Sequence, residues 1–158
     1  MDSSVFAILG GFIFIIAILG IILYIIMALG MQTMARKLGI ENPWIAWIPV
    51  VSAYTLGRIA GDKITIFNKV IPKLGLVLLI GGIAIGAISF IPYINVLAGI
   101  AYAIVYYVAL FKVYRIFAED SAVLYLVFSI IINVTAPFFI YSASKREPNL
   151  AIFNEGKI

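Results

Sequence analysis

The sequence predicts an all-α integral membrane protein with four transmembrane helices and a broken interfacial or re-entrant helix. Of its 158 residues, 65% are hydrophobic and 11% are charged, and the mean hydropathy is +1.18. Soluble domains carry about a quarter charged residues, and a chain this short cannot hide so much apolar surface from water. Long uncharged runs alternate with short basic connections. We therefore expect one membrane domain over residues 1–158.

The longest uncharged run covers residues 74–111 and predicts a helical hairpin. About 20 apolar residues are enough to cross a bilayer as a helix, so this run has the length for two crossings. Pro92 lies within it and removes a backbone donor, which makes it the natural reversal point. We therefore predict crossings at about residues 74–91 and 93–118.

Two further apolar runs predict the remaining crossings, at about residues 5–31 and 122–142. The first is too long for the core of a signal peptide and no basic residue precedes it, which indicates a retained helix. We expect this helix to continue to Lys37 and to end at a left-handed Gly39. In the last run, Pro137 predicts a kink.

Residues 43–60 predict a broken helix that lies in, or dips into, one leaflet. Asn42 is a suitable N-cap and Pro43 a suitable first residue, but Pro49 interrupts the helix that follows. Neither piece is long enough to cross a bilayer, although a single short crossing remains the alternative. Tryptophan and basic side chains are expected to anchor this region at anionic headgroups. These interfacial anchors are Trp44, Trp47, Arg58, Lys63, Lys69 and Lys73.

The connection that ends at Lys73 has two possible structures. Ile64, Phe67 and Ile71 share one face at helical spacing, which predicts a helix resting on the membrane surface. The alternative is a solvated loop whose lysines reach the headgroups.

The distribution of lysine and arginine predicts that both termini lie outside the cytoplasm, because cytoplasmic connections carry the excess of these residues. Four crossings with an outward N-terminus place eight of the eleven on the inner side. A fifth crossing at residues 43–60 would place only five there. We expect a multi-pass protein of the cytoplasmic membrane, with residues 32–73 inside and the tail, residues 143–158, outside. The eight inner residues are Arg36, Lys37, Arg58, Lys63, Lys69, Lys73, Lys112 and Arg115.

All four predicted crossings carry a polar or small face. On the first, Gly10, Ala17, Tyr24 and Ala28 form a possible packing stripe, although small residues are common in membrane helices. On the last two, polar and aromatic side chains recur at helical spacing, and we expect Tyr106 to contact Asn133. This interhelical polar face comprises Asn95, Tyr102, Tyr106, Tyr125, Ser129 and Asn133. On the second crossing, small residues allow close helix packing. That packing face comprises Gly75, Gly82, Gly86 and Ser89.

The composition excludes several classes of chemistry. The chain has no cysteine and no histidine, so disulfides, thiolate nucleophiles and imidazole-ligated metals are excluded. No nucleotide-binding motif occurs, and the apolar parts of the crossings lack the ionisable residues that proton relays need. We therefore expect no catalytic residue, cofactor or metal. The scattered basic residues do not predict nucleic acid binding.

Two short stretches carry a family resemblance. They are Trp47-Ile48-Pro49-Val50-Val51-Ser52 and Arg58-Ile59-Ala60-Gly61. They resemble a family of small bacterial polytopic membrane proteins, which carries a tryptophan-flanked Ile-Pro-x-x-Asn segment and has no assigned reaction. The likeness covers roughly residues 43–120 and departs at Ser52, where the family usually has Asn. It implies a bacterial protein of the cytoplasmic membrane.

Three functional hypotheses follow. The first is a non-catalytic membrane protein, either a self-associating structural component or an accessory subunit of a membrane assembly. Its partners would be the lipid bilayer, with anionic headgroups near residues 58–73, and a second copy or another membrane protein. The second is a passive pore or small-molecule conduit. The third is an immunity protein against a membrane-active toxin.

Overall fold

The computed structural model describes residues 3–66 and 68–155, and most of this length is helical. Within these ranges, seven α-helices and one β-hairpin are connected by short turns, three of which are 3-10 helices. The α-helices are α1 (Ser3–Lys37), α2 (Ser52–Ile59), α3 (Leu74–Ala87), α4 (Pro92–Ala118), α5 (Ala122–Ile131), α6 (Ala136–Ser144) and α7 (Leu150–Asn154). The strands are β1 (Lys63–Ile66) and β2 (Lys69–Pro72), and the 3-10 helices are Pro43–Trp47, Glu119–Ser121 and Asn133–Thr135.

The end of α1 confirms the prediction at Gly39, whose φ is +66°. The Gly39 amide donates to the Arg36 carbonyl at 3.1 Å, and the Ile40 amide donates to the Ala35 carbonyl at 2.9 Å. This pair of bonds is the Schellman arrangement, which satisfies carbonyls that the helix itself leaves unpaired.

Residues 43–59 form a broken helix, as predicted, but the second piece is buried in the fold. The interruption lies at residues 48–51, between the 3-10 helix and α2. Asn42 lies at the N-cap position in the left-handed region, with φ +57°, and its side chain makes no capping bond, contrary to the prediction. Leu56 and Ile59 of α2 are completely buried. The 3-10 helix therefore runs back along α1, and α2 then returns towards the core.

The basic connection is a β-hairpin, so the fold is not entirely helical. β1 and β2 pair antiparallel, with Ile64 opposite Ile71. The predicted surface helix over this stretch is wrong, because β-branched residues favour extended strands and Asn68 adopts the positive φ (+61°) that a tight turn needs. Phe67, the third member of the predicted helical face, lies outside the described residues.

The chain reverses between α3 and α4, as Pro92 predicts. The Tyr102 hydroxyl of α4 donates to the Leu78 carbonyl of α3 at 3.2 Å. Two helical stretches are long and apolar enough to cross a membrane, Val5–Lys37 and Tyr93–Ile131, whereas α3 is shorter than the usual span. Four transmembrane helices are therefore not supported.

The last apolar segment turns back, so the continuous helix predicted over residues 122–142 is wrong. A bend at Ile132, with φ −123° and ψ +79°, separates α5 from α6. The ring of Phe139 in α6 stacks on that of Tyr125 in α5, with centroids 4.5 Å apart. The two helices therefore lie side by side, with the 3-10 turn at their tip.

The C-terminal segment ends beside the end of α1. A Cβ added to Gly30 would lie 2.9 Å from Ile140 Cγ2, so α6 packs closely on α1. Seven residues further along α1, Lys37 Nζ donates to the Arg146 carbonyl at 2.8 Å and pairs with Glu147 at 3.1 Å. Both helices therefore advance in the same direction. This arrangement places the C-terminal segment at the opposite end from the start of α1, and it does not support a location of both termini outside the cytoplasm.

The buried core lies at the end of the molecule where α1 and α4 finish. Its fully buried side chains come mainly from α1, α2, α3, α4 and α6, with Ala46 of the first 3-10 helix and Ala60 after α2. By contrast, every residue from 5 to 22 of α1 is exposed, and at the α3–α4 turn Phe90 and Tyr93 are 88% and 86% exposed. Two apolar projections therefore extend from one compact end. The largest buried side chains include Met31, Met34, Leu56, Ile59, Leu74, Leu78, Leu110, Tyr114 and Ile140.

Candidate functional site

All ten basic side chains that the structure describes lie at the compact end. Lys37 contacts residues 146 and 147, Lys112 contacts Lys63, and the others lie on the same turns or helix ends. We call this surface the basic end. It comprises Arg36, Lys37, Arg58, Lys63, Lys69, Lys73, Lys112, Arg115, Lys145 and Arg146.

A pocket of about 340 Å³ opens in the basic end between the β-hairpin, α4 and α7. Three basic side chains and one acidic side chain line it, and we call it the cationic pocket. These are Lys63, Lys112, Arg115 and Glu155, with Val108 and Phe111 among its apolar neighbours. Lys112 Nζ donates to the Lys63 backbone carbonyl at 2.9 Å, which fixes the ammonium group and leaves two of its three donors for a ligand.

The cationic pocket carries a net positive charge, and its basic side chains form no salt bridge among the described residues. Within residues 3–66 and 68–155, the one ion pair joins Lys37 to Glu147, so no carboxylate contacts Lys63, Lys112 or Arg115. Burial lowers the pKa of Lys112, Glu155 raises it, and Arg115 has a smaller lowering effect. An anionic ligand would add to the effect of Glu155 and favour the charged form of Lys112.

A second, larger pocket of about 680 Å³ extends the positive surface across the β-hairpin and shares Lys63. Arg58 and Lys73 add two positive charges, and Asp62 adds one negative charge. Asp62 Oδ1 accepts a hydrogen bond from the Gly75 amide at 2.9 Å. This bond ties the start of α3 to the turn after α2, so Asp62 has a structural role.

A buried hydrogen bond joins α4 to α5. Ser129 Oγ donates to the Tyr125 carbonyl at 2.7 Å, so at the 3.0 Å contact between the two hydroxyls Tyr114 is the donor. Burial raises the pKa of Tyr114, which keeps its hydroxyl protonated. The ring of Tyr125 meets that of Tyr114 edge to face at 5.5 Å.

The predicted interhelical polar face is only partly assembled. Tyr106 stacks on Tyr102, with centroids 6.3 Å apart, while Asn133 is exposed at the turn between α5 and α6. In the part of the chain that the structure describes, these two predicted partners share no hydrogen bond. Asn95 lies near the start of α4, and its Oδ1 is buried without a partner among the described residues. The polar residues thus do not converge on one conduit.

The predicted packing face divides between two neighbours. Gly75 approaches Tyr54 of α2, where an added Cβ would lie 2.8 Å from the backbone carbonyl, and Gly82 lies near the hydroxyl of Tyr102. Gly86 has open space around its Cα and Ser89 is exposed. The sequence analysis missed three close contacts, at Gly30, Gly57 and Gly81. The spacing of small residues gives no signal that separates these from the others.

The predicted interfacial anchors include one tryptophan that is fixed to α1. The indole nitrogen of Trp47 donates to Gln32 Oε1 at 3.0 Å, and the backbone carbonyl of Trp47 accepts a hydrogen bond from the Tyr24 hydroxyl. Trp44 is 56% exposed. Arg58 donates to the hydroxyl of Tyr54 at 3.0 Å and also lies over that ring. Lys63 lines both pockets, Lys73 lines the second, and Lys69 is exposed near the tip of the β-hairpin.

Comparison of the chain with protein-family models, curated proteins and solved structures finds no match. Across the described ranges, no three acidic side chains come close enough to hold a metal ion. The arrangement at the basic end is suited to binding an anion through ammonium and guanidinium groups.

Proposed function

We propose that the protein is a non-catalytic integral membrane protein that acts as a self-associating structural component or as an accessory subunit of a membrane assembly. One observation carries this proposal: residues 5–22 of α1 are exposed around the whole helix. This segment, which we call the α1 arm, is free to meet lipid and other helices.

We further propose that three segments cross the cytoplasmic membrane of a bacterium: the apolar part of α1, α3 with its following turn, and α4 as far as Phe111. Residues 43–59 and 122–144 would be re-entrant segments that enter and leave on one side. The N-terminus would face outward and the basic end would face the cytoplasm. All ten described basic residues then lie inside, in agreement with the positive-inside rule.

The composition of the α1 arm supports association with another helix. Gly10, Gly11 and Gly20 lie on it, and nothing approaches within 4 Å of an added Cβ at any of them. Lipid tails are as apolar as leucine, so helix association in membranes depends on close packing, which small residues permit. Glycine in a helix interior costs about 1 kcal/mol relative to alanine, and helix contact would offset part of this cost.

The test is cross-linking between copies in lipid nanodiscs or native membranes. The chain has no cysteine, so Ala17→Cys introduces one thiol on the α1 arm. We expect a disulfide-linked dimer from Ala17→Cys and none from the matched control Ala28→Cys, because Ala28 is completely buried against its own bundle. Native mass spectrometry of the unmodified protein should show more than one copy. A chain that remains monomeric in both measurements would contradict self-association.

A further inference from the structure

We propose that the cationic pocket is a binding site for the phosphate headgroup of an anionic phospholipid. The proposal rests on the orientation given above, with the basic end at the cytoplasmic face, but it does not depend on self-association. The site is distinct from the general attraction of basic residues to a membrane, because it is a defined cavity in which the Lys63 carbonyl holds the Lys112 ammonium group.

The depth of the pocket favours a lipid as the source of the phosphate. The uncharged part of α4 covers residues 92–111, a length of about 30 Å at 1.5 Å per residue, which matches the hydrocarbon thickness of a bilayer. Lys112 follows immediately and lines the pocket. The pocket thus lies where the headgroups of the inner leaflet begin.

An exposed apolar strip leads from the pocket into the bilayer along α4. Val108 lines the pocket, and Ile104, Ile100 and Leu97 follow at helical spacing, 49%, 56% and 70% exposed. From Val108 to Leu97 the helix rises about 16 Å, close to half of the hydrocarbon thickness. An acyl chain can therefore lie against this strip while its phosphate occupies the pocket.

The charges of the pocket select an anionic lipid over a zwitterionic one. The guanidinium of Arg115 offers paired donors that match the geometry of a phosphate, and Lys112 and Lys63 add two ammonium groups. Glu155 contributes one negative charge against these three positive charges, so the lining of the pocket is positive overall. A choline group would bring its own positive charge into this surface, whereas glycerol would not.

The experiment is native mass spectrometry of the full chain released from detergent, with phosphatidylglycerol or phosphatidylcholine added. We expect wild-type protein to bind phosphatidylglycerol about tenfold more tightly than phosphatidylcholine. Lys63→Gln with Arg115→Gln should weaken phosphatidylglycerol binding about 25-fold, because each hydrogen bond to the bound phosphate contributes about fivefold. The matched control, Lys69→Gln with Arg146→Gln, removes the same charge from the basic end outside the pocket. It should change the affinity less than about threefold.

Three results would overturn the proposal. They are equal binding of the two lipids by the wild type, an equal loss from both double variants, and displacement of phosphatidylglycerol by millimolar inorganic phosphate, which would make the pocket a site for free anions. The comparison of the two lipids and the phosphate displacement both use the wild-type protein, so they remain informative even if a variant fails to fold. The cross-linking of Ala17→Cys measures self-association separately, so the failure of one proposal is distinguishable from the failure of the other.

Discussion

At the scale of single residues, the tightest approach at any described glycine joins Gly57 to Gly75. A Cβ added to Gly57 of α2 would lie 2.4 Å from the amide nitrogen of Gly75 at the start of α3. Real Cβ atoms do not approach a backbone so closely, so an added Cβ would force the two helix backbones apart. The contact therefore sets the distance between α2 and α3.

We predict that Gly57→Ala lowers the free energy of unfolding by about 2 kcal/mol, the cost of overpacking a tight contact. The measurement is the midpoint of denaturant unfolding in detergent, followed by circular dichroism. Gly86→Ala is the matched control, because nothing lies within 4 Å of a Cβ added there. It should leave stability unchanged or raise it by up to about 1 kcal/mol. Equal losses from both variants would contradict the close contact.

The buried hydroxyl of Tyr114 gives a second prediction. Tyr114→Phe removes the donor to Ser129, whose own proton still reaches the Tyr125 carbonyl, so no buried donor is left unpaired. We expect a loss of about 1 kcal/mol in the same unfolding measurement. Tyr93→Phe, at an 86% exposed position, should change nothing. A Tyr114→Phe protein as stable as Tyr93→Phe would show that the hydrogen bond is not a net contributor.

The sequence predicted a contact between Tyr106 and Asn133, which the helix pair does not make. Nearer the Glu119–Asp120 turn, Tyr114 of α4 meets Tyr125 of α5 edge to face. Eight residues further from the turn, the same register places Tyr106 opposite Asn133. The bend at Ile132 ends α5 before that level, so Asn133 is exposed at the tip. Helical periodicity fixes which residues share a face but not where the helix stops.

At the scale of elements, the 122–144 segment shows why apolar length alone is an insufficient criterion for a crossing. Pro137 has no amide hydrogen to give the Asn133 carbonyl, and the Thr135 hydroxyl donates to the Ile132 carbonyl at 2.8 Å. A second helix therefore starts instead of continuing the first. The positive charge of Lys145 and Arg146 could have indicated this return, because the return places these two residues with the other basic residues. The β-branched residues of the β-hairpin could likewise have predicted strands in place of a surface helix.

We predict that the C-terminal segment lies on the same side of the membrane as the β-hairpin. Lys145→Cys and Lys69→Cys should both react with a membrane-impermeant maleimide only after the cytoplasmic side is opened. Phe90→Cys, at the α3–α4 turn, is the control for the opposite side and should react in intact cells. Labelling of Lys145→Cys in intact cells would restore the four-crossing arrangement and contradict the re-entrant one.

At the scale of the whole molecule, charge and apolar surface are separated from end to end. The ten described basic residues surround the compact core, whereas the α1 arm and the α3–α4 turn carry none. The fold explains this separation, because residues 43–59 and 122–144 each turn back towards the compact end. We expect the orientation of the proposed crossings to depend on the sum of these charges and not on any one connection.

We predict that the combined charge of the basic end keeps the membrane orientation fixed when positive charge is added at the α3–α4 turn. Phe90→Lys with Tyr93→Lys places two lysines on the exposed turn, and nine described basic residues still oppose them when Lys69 is replaced by the reporter cysteine. Labelling of a cysteine at Lys69 should therefore remain confined to the cytoplasmic side in nearly all molecules. The matched comparison is Phe90→Gln with Tyr93→Gln, which adds polarity without charge. A mixed orientation in the lysine variant alone would show that the α3–α4 turn, and not the basic end, determines how the chain inserts.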